Sequence, residues 1–298
     1  TKQAAGEELA EIAQLVAGGA VAFTDGKKAI ANSEVMRRAL QYTAMLGRPI
    51  LHYPQVPELV AGGVMHDGYW STVLGLRGIP AAAEEIMVRR DIALAEHTEG
   101  RIHLMAISSK NSVDEVRAAR RRGLRVSADV TPHHLMLTDE SLQSYDPRYK
   151  VLPPFRPRKH IDALIAGLQD GAITVISSGH EPWAAEKKDR EIDHAPFGIV
   201  GLETLLPLCI EVLIETGLLD WPTLLSKLTT GPAELLQLDA GTLATGAVAD
   251  VTVIDPAAAW RIDAARFASA SRNTPFDGRE VRGRARMTIV GGEVRFCL

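Results

Sequence analysis

The chain has 298 residues, 46% of them hydrophobic and 23% charged, with a formal net charge of -4. That balance suits a globular protein with a large core, in one large domain or one large and one small. It speaks against a nucleic-acid partner, which would favour a basic surface. The basic run from Arg117 to Arg125 is spaced like one solvated helix face. No apolar stretch reaches the roughly 18–20 residues of a membrane span, and no signal peptide is expected. The two cysteines, Cys209 and Cys297, stand alone. They supply neither a disulfide framework nor a cysteine zinc site, which points to a reducing cytoplasm.

In chain order, a helical pattern (Leu9, Ile12, Ala13, Val16) opens almost at Thr1, followed by a short apolar strand over 19–23 that ends in Thr24-Asp25-Gly26. Residues 33–46 read as a helix, 49–52 as a strand, 80–98 as a helix introduced by Pro80, 101–107 as a strand and 112–122 as a helix. A strand over 124–130 leads into a long loop rich in Pro, Tyr and Arg; then come a helix over 160–169, a strand over 172–177, a long helix over 201–216 and two short ones over 221–228 and 232–238. Residues 62–80 are apolar and loop-rich, with Met65, Tyr69, Trp70, Leu74, Leu76 and Ile79 suited to the interior or to an interface.

This β-then-α rhythm predicts an α/β fold with a parallel sheet, open or closed into a barrel by right-handed crossovers. The strands up to Ile176 are fewer than the eight of a full (β/α)8 barrel, so the remaining strands are expected upstream of residue 1. From Gly241 the pattern changes. "GTLATGAVADVTVIDP" has turn glycines and then alternating apolar residues, and "GRARMTIVGGEVRF" reads as a hairpin with a Gly-Gly turn. The expected division is a barrel over 1–240 and a small β-domain over 241–298.

In a barrel, reacting groups sit at the C-terminal ends of strands. Here those ends carry Asp25, His52, Ala106, His133-His134 and Gly179-His180. A catalytic zinc needs about three His or carboxylate ligands and a water. Asp25 and His52 qualify; Ala106 and Gly179 do not. His103, three residues before Ala106, is expected on the opposite side of its strand, outside the barrel. His180-Glu181 together with His194 matches no zinc signature.

The chain resembles the dihydroorotases of the amidohydrolase superfamily, the branch that also holds allantoinases and hydantoinases. The resemblance rests on "GEELAEIAQLVAGGAVAFTDG", "GGVMHDGYWSTVLGLRGIPAAAEEIMVRRDIALAEHT", "VTPHHLMLTDESLQSYDPRYKVLPPFR", "APFGIVGLETLLPL", "GTLATGAVADVTVIDP" and "NTPFDGREVRGR", and runs over essentially the whole chain. It implies a metal-dependent-hydrolase barrel plus a small β-domain. Relative to the family, the first β-domain segment, the opening strands, a His-X-His metal pair and two substrate-holding residues would lie upstream of Thr1.

Carried over by position, the resemblance makes Asp25 a metal ligand. It gives His52 the histidine of the family's "HCED", which reads "HYPQ" here. The metal-binding histidine of "HICHVS" falls on Ala106, and the substrate-binding asparagine of "KVNPPLR" on Leu152. The family's "TDHAPH" reads "SGHEPW": its general-base aspartate falls on Gly179, the next residue is His180, and its last histidine falls on Trp183, expected to fill the space of the missing substrate. His133-His134 is expected to support the loop after its strand.

Without the base and with ligands lost, activation of a water is impaired. The resemblance therefore implies a dihydroorotase-like protein of pyrimidine biosynthesis that is non-catalytic, needs no cofactor, and works as a homo-oligomer or as a structural partner of aspartate transcarbamoylase. It has no nucleic-acid or membrane partner and is cytoplasmic. The alternatives are an active dihydroorotase or related cyclic-amide hydrolase, which would carry zinc, and a small-molecule binding module.

Overall fold

Between Pro49 and Ile176 the chain returns repeatedly to short strands whose ends face one side. The computed structural model describes residues 1–298 and shows β1 (Ile50–His52), β2 (Met65–His66), β3 (Gly78–Ile79), β4 (Ile102–Leu104), β5 (Val126–Val130) and β6 (Val175–Ile176). β1, β4, β5 and β6 form one parallel sheet in that order. Phe23 adds a single parallel bridge to Ile50 on the outer edge of β1. The strand expected over 19–23 is reduced to that bridge. Gly19 takes a positive φ of 100° just before it and Gly26 turns at 67° just after, so little extended backbone is left to pair.

The helices between these strands follow from local chemistry. Asn32 accepts hydrogen bonds from the N–H groups of Glu34 (2.9 Å) and Val35 (3.2 Å) and so starts Ser33–Met45. Asp220 caps Trp221–Leu228 through the Thr223 N–H at 2.9 Å. Ala82–Thr98, Lys110–Arg121 and Arg158–Gln169 lay their apolar faces on the sheet. Met36, Leu40, Val88, Val113, Val116, Leu164 and Leu168 join Ile102, Leu104, Ala128 and Val130 in one buried core. Truncating one of these large side chains to alanine typically costs about 2–5 kcal/mol.

Two expected elements differ. The long helix over 201–216 is an α-helical turn, Leu205–Cys209, continued by a π-helical one, Ile210–Ile214. Its start is delayed because Gly201 lies against the backbone of Ser178 and His180: a Cβ there would sit 2.1 Å from the Ser178 carbonyl oxygen. The loop expected after β5 contains the short helix Pro132–Met136 and two 3-10 turns. Within 62–80, β2 and β3 pair in parallel around the helix Tyr69–Leu74. Met65, Leu76 and Ile79 are buried, whereas Tyr69 and Val73 are exposed.

At the C-terminus, β7 (Val251–Arg261), β8 (Glu280–Val290) and β9 (Glu293–Cys297) form an antiparallel sheet, with Gly291 and Gly292 in the β8–β9 turn at φ 58° and 85°. Ile262, Phe267, Phe276 and Val281 share a second core with Met65, Leu142, Phe155 and Leu208. No helix is long and apolar enough to cross a membrane.

Candidate functional site

The C-terminal ends of the parallel strands enclose a cavity of about 220 Å³. Four of the expected site residues, Ala106, Leu152, Gly179 and His180, line it together with Tyr53, Asp129, His133, Lys27 and Glu181. The other three, Asp25, His52 and Trp183, lie outside this lining.

Each of those three is engaged elsewhere. The Asp25 carboxylate accepts from the Thr1 hydroxyl. His52 is buried; its Nδ1 faces Asp91 Oδ2 at 2.6 Å, and its Nε2 accepts from the Ile30 N–H at 2.9 Å. Asp91 is held in turn by Arg90 through Nε at 3.0 Å and through Nη2. Trp183 does not line this cavity. Its indole N–H donates to the Phe197 carbonyl at 2.7 Å and its backbone N–H to Asn273 at 3.2 Å, so it fastens the loop after β6 to the loops behind it.

Gly179 and Ala106 both adopt left-handed backbone, with φ of 58° and 50°. At Gly179 an added Cβ would stand 2.5 Å from His133 Cε1 and 2.8 Å from Thr131 Cγ2. The chain therefore needs glycine at 179 on two counts, conformation and space. The position that the resemblance assigns to the base is packed against His133 and carries no carboxylate.

Asp129 and Tyr53 went unnoticed in the sequence. Asp129 accepts from the Ala106 N–H at 3.0 Å and from the Ser177 hydroxyl on one oxygen, and pairs with His103 Nε2 at 2.9 Å on the other. It ties the ends of β4, β5 and β6 together and has little capacity left to act as a base. The signal was present: an acid inside the apolar strand "VSADV" has to face a partner. His103 is thereby corrected. It is buried, bonded to Ser127 (2.8 Å) and Asp129, and not packed outside the sheet. The strand pairing stops at Leu104, so the alternation assumed between 103 and 106 does not reach Ala106. Tyr53 is buried at the cavity wall with its hydroxyl unpartnered. Burial first, then the Glu181 and Glu84 charges, raise its pKa well above 10.

The two adjacent histidines divide their work. His134 supports the loop, as expected, through Thr131 Oγ1 at 2.6 Å and the Pro153 carbonyl at 2.8 Å; burial lowers its pKa to about 4. His133 faces the cavity, and burial followed by the His134 charge lowers its pKa well below 6.5, so the imidazole is neutral at pH 7. Glu181 is paired with Lys27. His180 accepts the Gly201 N–H on Nδ1 at 3.2 Å. Chemically, this wall offers hydrogen bonds and a neutral imidazole, and it leaves no carboxylate free of a partner.

The chain matches the amidohydrolase family over residues 17–296. It is 49% identical over 294 residues to a dihydroorotase of Pelotomaculum thermopropionicum, covering 99% of this chain and 69% of that protein. It is 44% identical over 292 residues to a putative dihydroorotase of Rhodopirellula baltica, covering 98% and 64%. Among solved structures it resembles the L-hydantoinase of Arthrobacter aurescens with a TM-score of 0.85 and 25% identity, over 95% of this chain and 66% of that one. The dihydropyrimidinase of Brevibacillus agri shares the fold with a TM-score of 0.78 over 89% and 60%. The chain thus spans about two thirds of the length of these proteins.

These comparisons correct the expectation of no cofactor: the family and its dihydroorotase and hydantoinase members are metal-dependent, with zinc as the metal. Toward such a metal, residues 1–298 bring no group of three or more His, Cys, Asp or Glu side chains, and the His52 Nε2 lone pair already accepts the Ile30 N–H. The donors present here do not by themselves fit a catalytic zinc, which needs about three. The mixed α/β architecture, the parallel sheet with its following antiparallel sheet, and the length of the match agree: the chain belongs to the amidohydrolase family, among relatives of the dihydroorotases.

Proposed function

We propose that this chain is a dihydroorotase-type protein of cytoplasmic pyrimidine biosynthesis whose own pocket does not hydrolyse dihydroorotate, and which serves as a structural partner of aspartate transcarbamoylase. One observation carries the non-catalytic part. The position that would hold the base is Gly179, in left-handed backbone with His133 2.5 Å from where a Cβ would begin. Asp129 and Glu181, the nearby acids, are spent on His103, Ser177 and Lys27. A hydrolytic water would have no free carboxylate to take its proton. The partner role is supported by the exposed Tyr69 and Val73 on the helix of the 62–80 segment, where exposed apolar side chains suit an interface.

The comparisons favour a second reading, an active dihydroorotase or related cyclic-amide hydrolase, because the relatives at 49% and 46% identity are named dihydroorotase. Complementation separates the two. A strain lacking dihydroorotase and carrying the full-length gene is expected to remain dependent on added pyrimidine; growth without it favours the enzyme.

The partner claim has its own test. Light scattering after size exclusion, with and without the same organism's aspartate transcarbamoylase, is expected to show a joint complex at micromolar concentration. Two separate peaks would remove the scaffold role.

A further inference from the structure

A second opening lies at the other end of the sheet, at the N-terminal ends of the strands. It is a cleft of about 450 Å³ walled by the starts of β4 and β5 and by the helix Thr230–Leu236. Arg101, Arg120 and Arg125 line it, with Glu234 as the one acid. The fold, and not chance surface crowding, brings these arginines together. Ile102 pairs with Val126 in the β4–β5 register. Arg101 and Arg125, the residues immediately before each strand, therefore stand side by side at roughly the 4.8 Å spacing of neighbouring strands. Arg120 reaches in from the last turn of Lys110–Arg121, with Nη1 donating to the Val126 carbonyl at 3.0 Å.

On the helices beside this cleft, arginines find carboxylates: Arg89 with Glu115, Arg117 with Asp114 and Asp170, Arg122 with Glu96. Arg101, Arg120 and Arg125 enter no ion pair. Burial first, and then the Arg125 charge, lower the Arg101 pKa. A C-terminal helix dipole accounts for Arg120, but Arg101 and Arg125 stand outside any helix, immediately before β4 and β5.

We propose that this cleft is a binding site for a multiply charged oxyanion, held by the guanidinium groups of Arg101, Arg120 and Arg125. Planar guanidinium forks match phosphate and carboxylate oxygens in bidentate pairs. The site lies at the opposite end of the strands from the cavity around Gly179 and stands independently of the proposed function.

Isothermal titration of the full chain at low ionic strength tests it, with inorganic pyrophosphate in one arm and citrate in the other. Saturable binding of one equivalent is expected in at least one arm, weakening with added salt. Binding of pyrophosphate alone identifies a phosphoryl group and of citrate alone a carboxylate, while binding of both shows that charge is what is read. The double variant Arg101→Gln/Arg125→Gln should bind at least about tenfold more weakly. Glu234→Gln should bind more tightly, a gain that misfolding does not produce. Absence of saturable binding in both arms, unchanged affinity in the double variant, or no gain in Glu234→Gln overturns the proposal.

Discussion

Replacing Glu84 by alanine is expected to cost about 3–5 kcal/mol of stability, the range for removing one partner from a buried charged network. Glu84 is fully buried near the start of Ala82–Thr98. Its carboxylate accepts the N–H of Ser108 at 3.0 and 3.1 Å, the N–H of Ser109 at 3.0 Å, and the Ser108 hydroxyl. Arg156, also fully buried, approaches it at 3.9 Å and donates to Ser108 Oγ at 3.1 Å. Alanine leaves those donors without an acceptor and the guanidinium without its carboxylate. The loop released is the one that follows Ala106, so the cavity wall loosens with the core. Urea unfolding with an unchanged m-value measures the effect. A loss below about 1 kcal/mol, the level of an exposed pair, would show that the network contributes little.

Gly179→Asp is expected to lower stability by about 2–5 kcal/mol, combining left-handed backbone at roughly 1–2 kcal/mol with overpacking at about 1–3 kcal/mol. It is also expected to bring no hydrolysis. The new side chain would begin inside the space of His133 and Thr131, and Ala106 and Leu152 still lack polar side chains in the same cavity. Gly179→Ala separates steric cost from charge, because it meets the same two neighbours without adding a carboxylate. Equal losses in both variants support the packing argument; an aspartate variant as stable as the parent contradicts it.

How far the sequence foretold this depended on the kind of signal. The helices around Met36, Val88, Val116 and Leu164 announce themselves by periodic apolar residues, and the structure places them within two residues of expectation at either end. Strands were read too long, because apolar character continues where pairing has stopped: β4 ends at Leu104 and the chain then curls at Ala106. That curl also defeated the reading of His103, since strand alternation holds only while the backbone stays extended. The site was legible as a set of positions, of which Ala106, Leu152, Gly179 and His180 line one cavity. The polar contacts around it were not, because the roles of Asp129 and Trp183 depend on partners 14 to 90 residues away in sequence. The family position of Trp183 says nothing of Phe197 or Asn273, and only the fold brings those groups together. The expectation of no metal failed for a related reason. It was drawn from individual positions, whereas cofactor dependence is a property of the family.

The most direct test is turnover by the full-length protein supplied with zinc, followed in both directions as ring opening of dihydroorotate and cyclisation of carbamoyl aspartate. With Gly179 closed against His133 and the neighbouring acids engaged, the predicted result is a rate indistinguishable from the protein-free control. Turnover on the order of 1 per second, within the ordinary enzyme range, would contradict the account and establish the active cyclic-amide hydrolase in its place.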